Sequence, residues 1–223
     1  MGESRFSETG SIKTKDMYFE KPESERNDVA SEQFALIRSI FSENLPVRLV
    51  GGYAEDALLE GKIEGEHHDV DLVALRNNAD NLGKYFEQNG FAVMPVIEEG
   101  AEKPFKFQIE RGGIKVDLAF LDYDGSRKRP YLDAEGRGGR KFRVFLDEQM
   151  FEYAPQELDG VNVRTASPLS MLQIREAILA IGRQRRDTRE KDLLQQEKLK
   201  QKYFSETEPD NLIPEIIALS QQQ

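Results

Sequence analysis

Two aspartates separated by one residue are the feature of this sequence with the clearest chemical meaning. Asp69 and Asp71 lie at the start of the run 69–75, whose other residues are apolar, and this run predicts a strand with apolar side chains on both faces. Successive side chains of a strand point to opposite faces, so both carboxylates project the same way, with Cβ atoms about 6 to 7 Å apart. Asp117 has a similar setting in the run 114–121. A charged group at the end of such a strand is costly unless it is paired or binds a metal. Three carboxylates on adjacent strands could hold two Mg²⁺ ions.

A pair of glycines, Gly51 and Gly52, stands between a predicted strand at 47–50 and a predicted helix at 53–60. The amides and the dipole at a helix N-terminus favour an anion, and a backbone without Cβ atoms can approach a phosphate closely. Most Gly-Gly pairs are simply turns, and the chain contains neither a Walker A motif nor a dinucleotide-binding fingerprint. Beside three carboxylates, the pair indicates a site where metal ions bridge nucleotide phosphates.

Strands and helices alternate along the chain, which predicts an α/β (α+β) protein. A first helix is expected from Asp28 to the stop at Pro46, and Ser167-Pro168 is a good start for a later one. The stretch 122–143, rich in glycine and basic residues, predicts a long loop or an irregular hairpin next to the ligand. The other predicted strands are 91–97, 105–110 and 161–164, and the other helices are 79–89, 168–182, 187–202 and 209–221.

Three regions follow from these patterns. Residues 1–27 are polar without a period and predict an arm, residues 28–165 form the core domain, and residues 166–223 form a helical module. The two larger modules are expected to form the walls of one crevice. The sequence gives no oligomeric state.

Composition excludes several classes of protein. The chain has 223 residues, 31 Lys and Arg against 41 Asp and Glu, and a net charge of −10, which argues against nonspecific binding to nucleic acid or a membrane surface. The absence of cysteine excludes disulfides, thiolate zinc sites and a cysteine nucleophile. No apolar stretch is long enough for a membrane span or a signal peptide, so we expect a cytoplasmic protein.

Two blocks of this sequence resemble a known signature. GGYAEDALLEG at 51–61 and EHHDVDLVAL at 66–75 are similar to the polymerase-β-type nucleotidyltransferase superfamily, and closest to the lincosamide and aminoglycoside 2″-adenylyltransferase group. Tyr53 replaces the tryptophan usual in that group. The resemblance covers about residues 30–200, and it extends to the strand of Asp117, to 122–126, to Gly138-Gly139 and to the Arg-x-Lys-Asp run at 189–192.

The resemblance implies a fold, a reaction and a set of roles. The fold is a nucleotidyltransferase core with a short mixed sheet flanked by helices, followed by the helical module. The reaction is Mg²⁺-dependent transfer of a nucleoside monophosphate, AMP from ATP or another NTP, to a hydroxyl of a small molecule such as an aminoglycoside or lincosamide, with release of pyrophosphate. The implied metal ligands and catalytic residues are Asp69, Asp71 and Asp117, with Asp117 the candidate base; Gly51 and Gly52 contact the triphosphate, and Arg189 and Lys191 neutralise its charge.

Two other functions remain open. The acceptor could be a protein or a tRNA end, as in toxin–antitoxin nucleotidyltransferases; overall acidity disfavours tRNA, but the basic segments 126–143 and 175–202 favour it. The protein could also bind nucleotides without turnover, although three intact carboxylates argue against that.

Several single residues have both a structural and a functional interpretation. Adjacent histidines, His67 and His68, point apart on a strand, which favours a structural or substrate-lining role over a metal site. Glu55 and Asp56 either oppose a helix dipole or, for Asp56, contact the acceptor. The remaining candidates are basic residues that could contact phosphate, Arg175, Arg183, Arg185 and Arg186, and acids that could attract a cationic acceptor, Asp122, Asp124, Asp133 and Glu135.

Overall fold

The computed structural model describes residues 23–97, 103–135, 139–180, 190–206 and 212–219. A sheet of eight strands forms the centre, and five α-helices accompany it in this part of the chain. The helices are α1 (Glu23–Ser42), α2 (Gly51–Leu59), α3 (Ala79–Gln88), α4 (Pro168–Ala180) and α5 (Glu190–Phe204). The strands are β1 (Val47–Val50), β2 (Val70–Leu75), β3 (Ala92–Val96), β4 (Lys106–Arg111), β5 (Ile114–Asp124), β6 (Arg129–Glu135), β7 (Lys141–Phe145), β8 (Gln156–Leu158), β9 (Val161–Val163) and β10 (Glu215–Ala218).

The sheet is mixed, as the sequence predicts. Its main path runs β1-β2-β5-β6-β7-β10, while β4 pairs with β5 and β3 pairs with β4. Only β2 and β5 are parallel among the named strand pairs of the described residues. Strands β8 and β9 form a separate hairpin. The long strand β5 is therefore the member that joins the two halves of the sheet.

Alternating burial along the central strands separates an apolar face from a polar one. Val47 and Leu49 of β1 and Leu72 of β2 are buried, as are Ile37 and Ile40 of α1, so these side chains belong to one core. The intervening residues of β1, and Asp71 of β2, are only partly buried. Because side chains alternate, this second face can carry polar groups without disturbing the core.

The predicted helix at 209–221 is wrong. Residues Glu215–Ala218 form β10, which pairs antiparallel with β7 and so returns the chain from the C-terminal helices to the sheet. A four-residue run with two isoleucines after Pro214 is too short for its period to separate strand from helix, and β-branched residues favour the strand when a free edge is available.

Other boundaries differ by a few residues. Helix α1 begins at Glu23, five residues before the predicted start, and β2 begins at Val70, so Asp69 precedes the strand. Of the two structures expected for 122–143, the hairpin is found as β6 and β7. The division into 1–27, 28–165 and 166–223 stays a prediction. No helix in the described ranges is long and apolar enough to cross a membrane.

Candidate active site

Three carboxylates converge where β1 ends and β2 begins. Asp71 lies on β2 directly beside Asp117 of β5 in the parallel register, and Asp69 stands just ahead of β2. One oxygen of each carboxylate lies within 4.8 Å of the others. The strand pairing thus brings together the residues that the sequence singled out, and oxygen ligands at this spacing suit a hard cation such as Mg²⁺.

The buried position of Asp71 changes its acidity. Burial, reinforced by the negative charges of Asp69 and Asp117 and of Glu55, raises the pKa of Asp71 to about 7, although Lys106 acts in the opposite direction. Crowded carboxylates of this kind are stabilised by a bound cation. The electrostatics of the cluster therefore fit a metal site.

Lys106 lies beside the cluster, although no motif in the sequence indicates it. Its Nζ lies 2.5 Å from Asp117 Oδ2. The turn at Gly112-Gly113 sets β4 against β5 so that Gln108 faces Asp117, which places Lys106 diagonally across from the same carboxylate. That register is the signal that could have identified the lysine, but it requires the pairing of β4 with β5 to be known.

Gly51 and Gly52 lie at a helix N-terminus, and neighbouring side chains also leave no space for a Cβ atom at either residue. Gly51 has φ +67°, and a Cβ at this residue would lie 2.9 Å from Asp71 Cγ and closer still to its carboxylate oxygen. A Cβ at Gly52 would lie 2.7 Å from Cε1 of His67. The start of α2 therefore packs directly against the carboxylate cluster, and only glycine fits at either position.

His67 and Asp56 form a buried pair that holds the loop before β2. The distance from His67 Nε2 to Asp56 Oδ2 is 2.8 Å, with 8% and 3% of the two side chains exposed. The same carboxylate accepts a hydrogen bond of 2.9 Å from the Glu64 amide, and the Tyr53 ring lies 4.0 Å from the imidazole. These contacts favour the structural interpretation of His67 and Asp56, because they fix the loop that carries Asp69 to α2.

Tyr53 continues this buried polar chain toward α1. Its hydroxyl donates a hydrogen bond of 2.9 Å to Gln33 Oε1. Burial, together with the charges of Asp56 and Asp69, raises the pKa of Tyr53 to about 12, so the phenol stays protonated.

The two C-terminal helices attach to α2, next to the cluster. Glu55 is buried and forms an ion pair with Arg175 of α4. Lys202 Nζ and the Tyr203 hydroxyl of α5 donate to the Leu58 carbonyl at 2.8 and 2.7 Å, near the end of α2. Arg175 is thus a link between helices rather than part of a solvated face.

The structure does not place all the predicted phosphate-binding residues. Arg189 lies outside the described residues, as do Arg183, Arg185 and Arg186. Lys191 belongs to α5, but its side chain is not among those described. Their contact with phosphate stays a prediction.

The acids at 122–143 are engaged with neighbouring basic or hydroxyl groups. Asp122 pairs with Arg76 at 2.9 Å, and Asp133 pairs with Arg143 at 2.8 Å. Asp124 accepts hydrogen bonds from the hydroxyl of Ser126 and from two amides of the following turn. Asp122 also lies five residues along β5 from Asp117, about 16 Å at the rise of a strand. These contacts do not support recruitment of a cationic acceptor by these three acids.

The fold is similar to that of antibiotic adenylyltransferases of known structure. A crystal structure of ANT(2″)-Ia in complex with adenylyl-2″-tobramycin superposes with a TM-score of 0.56 at 18% identity, covering 81% of this chain and 91% of that one. The lincosamide antibiotic adenylyltransferase LnuA, bound to lincomycin, gives a TM-score of 0.51 at 15% identity, with 76% and 95% covered. Likeness at this identity shows a shared fold, and it confirms the predicted fold class.

The sequence itself gives the family. Residues 34–195 match the family model of aminoglycoside-2″-adenylyltransferase, and the chain belongs to that family. No curated protein sequence matches the chain significantly. The predicted enzyme class, a nucleotidyltransferase related to the antibiotic-modifying group, is confirmed.

Proposed function

We propose that this protein is a Mg²⁺-dependent enzyme that transfers AMP from ATP to a hydroxyl of an aminoglycoside or lincosamide and releases pyrophosphate. The observation that carries the proposal is the convergence of Asp69, Asp71 and Asp117 within 4.8 Å, beside the Gly51 turn that begins α2. Family membership supplies the class of reaction.

The three carboxylates would hold the metal. Their oxygens converge, and the crowding of negative charge that raises the pKa of Asp71 is relieved by a cation. Mg²⁺ held by these carboxylates would supply positive charge that offsets the charge developing during phosphoryl transfer. The sequence suggests two such ions because three carboxylates are available to share between them.

The N-terminus of α2 would bind the triphosphate. The amides of Gly51 and Gly52 lie at the positive end of the helix dipole, which favours a phosphate group. Arg189 and Lys191 add positive charge in this proposal.

Asp117 would receive the proton of the acceptor hydroxyl. Lys106 binds Oδ2 of this carboxylate, which leaves Oδ1 to accept a proton. The lysine also restricts rotation of the carboxylate, so Lys106 acts as a positioning residue for the base.

The identity of the acceptor rests on the family and on its neighbours. One neighbour is described with adenylyl-2″-tobramycin and another with lincomycin, which represent the two antibiotic classes expected from the sequence. Because Asp122, Asp124 and Asp133 are already bound by nearby groups, these three acids give no preference for a polycationic aminoglycoside. Both classes therefore belong in the test, and the cytoplasmic location stays part of the proposal.

Mass spectrometry tests this proposal directly. The protein is incubated with Mg²⁺, each NTP in turn and a panel of aminoglycosides and lincosamides. We expect one compound to gain the mass of AMP with ATP as donor, and we expect pyrophosphate to appear in equal amount. Chelation of the metal with EDTA should stop the transfer.

Two variants give the control. Asp71→Asn should abolish transfer, whereas Asp80→Asn, which changes an exposed acid on α3, should leave it unchanged. Transfer that survives in Asp71→Asn would refute the metal assignment. Binding of ATP without pyrophosphate release on any acceptor would favour a binding protein without turnover.

A further inference from the structure

Two arginines share one face of the sheet at the end of β1 remote from Gly51. Arg48 lies in β1, and Arg164 follows β9. Leu49 forms a parallel bridge with Thr165: the Leu49 amide donates to the Arg164 carbonyl at 2.8 Å, and the Ala166 amide donates to the Leu49 carbonyl at 3.0 Å. Since side chains alternate along paired segments, Arg48 and Arg164 project to the same side.

Neither arginine has an acidic partner among the residues that the structure describes. Arg48 donates a hydrogen bond of 3.1 Å to the Val47 carbonyl, and Arg164 donates to the Leu45 carbonyl. The guanidinium carbons lie 5.8 Å from the ring centre of Phe151 and 6.0 Å from that of Phe41, respectively. Arg48 Nε is buried without a hydrogen-bond partner in the described part of the chain. Within the described residues, each guanidinium therefore donates one hydrogen bond, and Arg48 Nε donates none.

This arrangement is electrostatically unfavourable when no anion is bound. Burial and the charge of Arg164 lower the pKa of Arg48 to about 10, and burial lowers the pKa of Arg164. Backbone carbonyls in the segment after α1 accept one hydrogen bond from each guanidinium. They do not neutralise two partly buried like charges, which require an opposite charge.

We propose that Arg48 and Arg164 form an anion site that binds a phosphate group. Two guanidinium groups on one face present pairs of donors that match phosphate oxygens. Arg48 and Val50 lie on the same face of β1, and Val50 is paired with Asp71. Arg48 is two residues before Val50, about 7 Å along the strand, and no carboxylate is described beside it. The site is separate from the carboxylate cluster, and it does not depend on the reaction proposed above.

An anion at this site would join two parts of the chain. Arg48 lies in the strand that leads through Val50 into Gly51, and Arg164 lies in the segment that leads through Ser167 into α4. The Ser167 hydroxyl accepts the Ser170 amide at 3.1 Å and so caps that helix. Occupancy should therefore hold β1 against the start of α4 and raise the melting temperature.

NMR of the full-length protein in EDTA tests the site. Inorganic phosphate is added at constant ionic strength, and the arginine Nε–Hε signals are recorded. We expect two arginine signals to shift along one common binding curve, assigned to Arg48 and Arg164 by substitution. Arg48→Gln and Arg164→Gln should each weaken phosphate binding about tenfold, which corresponds to loss of one charge-assisted contact.

Matched controls decide the result. Arg38→Gln removes an exposed arginine that also lies over a phenylalanine ring, and it should bind phosphate as the wild type does. AMP is titrated in parallel: if AMP binds more tightly than phosphate and also depends on both arginines, the phosphate group belongs to a nucleotide; if the two bind equally, free phosphate suffices. The proposal is overturned if no arginine signal of the wild type shifts. It is also overturned if Lys106→Gln abolishes phosphate binding while Arg48→Gln does not.

Discussion

Lys106 Nζ lies 2.5 Å from Asp117 Oδ2, so one carboxylate of the aspartate cluster already has a cation of the protein beside it. The lysine reaches Asp117 from β4, diagonally across the strand pair. A metal ion that approaches Asp117 must share the carboxylate with this ammonium group or repel it. Lys106 therefore opposes metal binding and, at the same time, stabilises the cluster when no metal is present.

Replacing Lys106 with methionine should separate these two effects. We expect Lys106→Met to bind Mn²⁺, used as a spectroscopic substitute for Mg²⁺, roughly fivefold more tightly, because a competing positive charge is removed. Thermal unfolding without metal should shift to lower temperature, because Asp117 loses its counter-ion. Lys115→Met is the matched control, since Lys115 is exposed on β5 two residues from Asp117 and faces Glu110. Weaker metal binding in Lys106→Met would contradict the competition.

Gly51→Ala should damage the cluster as well as the backbone. The residue has φ +67°, and the new Cβ would overlap the Asp71 carboxylate. We expect a loss of about 2 to 4 kcal/mol in the free energy of unfolding and loss of AMP transfer. The measurements are urea unfolding and the mass-spectrometric assay.

Gly112→Ala isolates the contribution of backbone conformation. Gly112 has φ +59°, but nothing lies within 4 Å of the position of its Cβ. Its replacement should cost only about 1 kcal/mol. If both alanine variants lower the free energy of unfolding by the same amount, the contact with Asp71 does not contribute to the cost at Gly51, and our account of that residue is wrong.

Local patterns in the sequence predict the elements that carry the cluster. Strand β1 is predicted and found at 47–50, and the alternation that places Asp69 and Asp71 on one face is visible in the sequence alone. The sequence predicts Asp71 and Asp117 on adjacent strands, and the parallel register of β2 and β5 places the two residues side by side. The chemistry of these residues could be predicted because spacing along one strand fixes which side chains share a face.

Contacts that depend on pairing or loop closure could not be predicted. Lys106 reaches Asp117 only through the register of β4 on β5, and β10 is a strand only because β7 offers an edge. The bond between His67 and Asp56 closes a loop of ten intervening residues whose path no periodicity describes. Such interactions are set by tertiary structure, which overrides local preference.

The raised pKa of Asp71 predicts how stability depends on pH without metal. At pH values between about 4 and 7 the folded protein holds a proton on Asp71 that the unfolded chain releases, because the pKa rises from 3.8 to about 7 on folding. The contribution of this group to stability is therefore full below pH 4 and is lost as pH rises to 7. Asp71→Asn should be more stable than the wild type by roughly 4 kcal/mol at pH 8, because each of the three or so pKa units of the shift is worth about 1.4 kcal/mol, and equal to it near pH 4.

Urea unfolding in EDTA from pH 4 to 8 measures this difference. Asp80→Asn, on an exposed acid of α3, should follow the wild-type curve. Mg²⁺ binds the ionised carboxylate, so adding it should stabilise the wild type at pH 8 more than Asp71→Asn. Parallel pH curves for the wild type and Asp71→Asn would show that Asp71 ionises normally.

The ion pair between Glu55 and Arg175 should be the energetic link between α2 and α4. Glu55 is 3% exposed, so its charge has little access to water, and Arg175 approaches it from the first C-terminal helix. Removing the cation alone leaves a buried carboxylate with less compensation, whereas neutralising both groups removes the charge altogether. We expect Arg175→Met to cost about 3 kcal/mol and the double variant Glu55→Gln, Arg175→Met to cost clearly less. Urea unfolding of the four proteins of this cycle gives the coupling energy, and strictly additive effects would mean that the pair does not hold the two helices together.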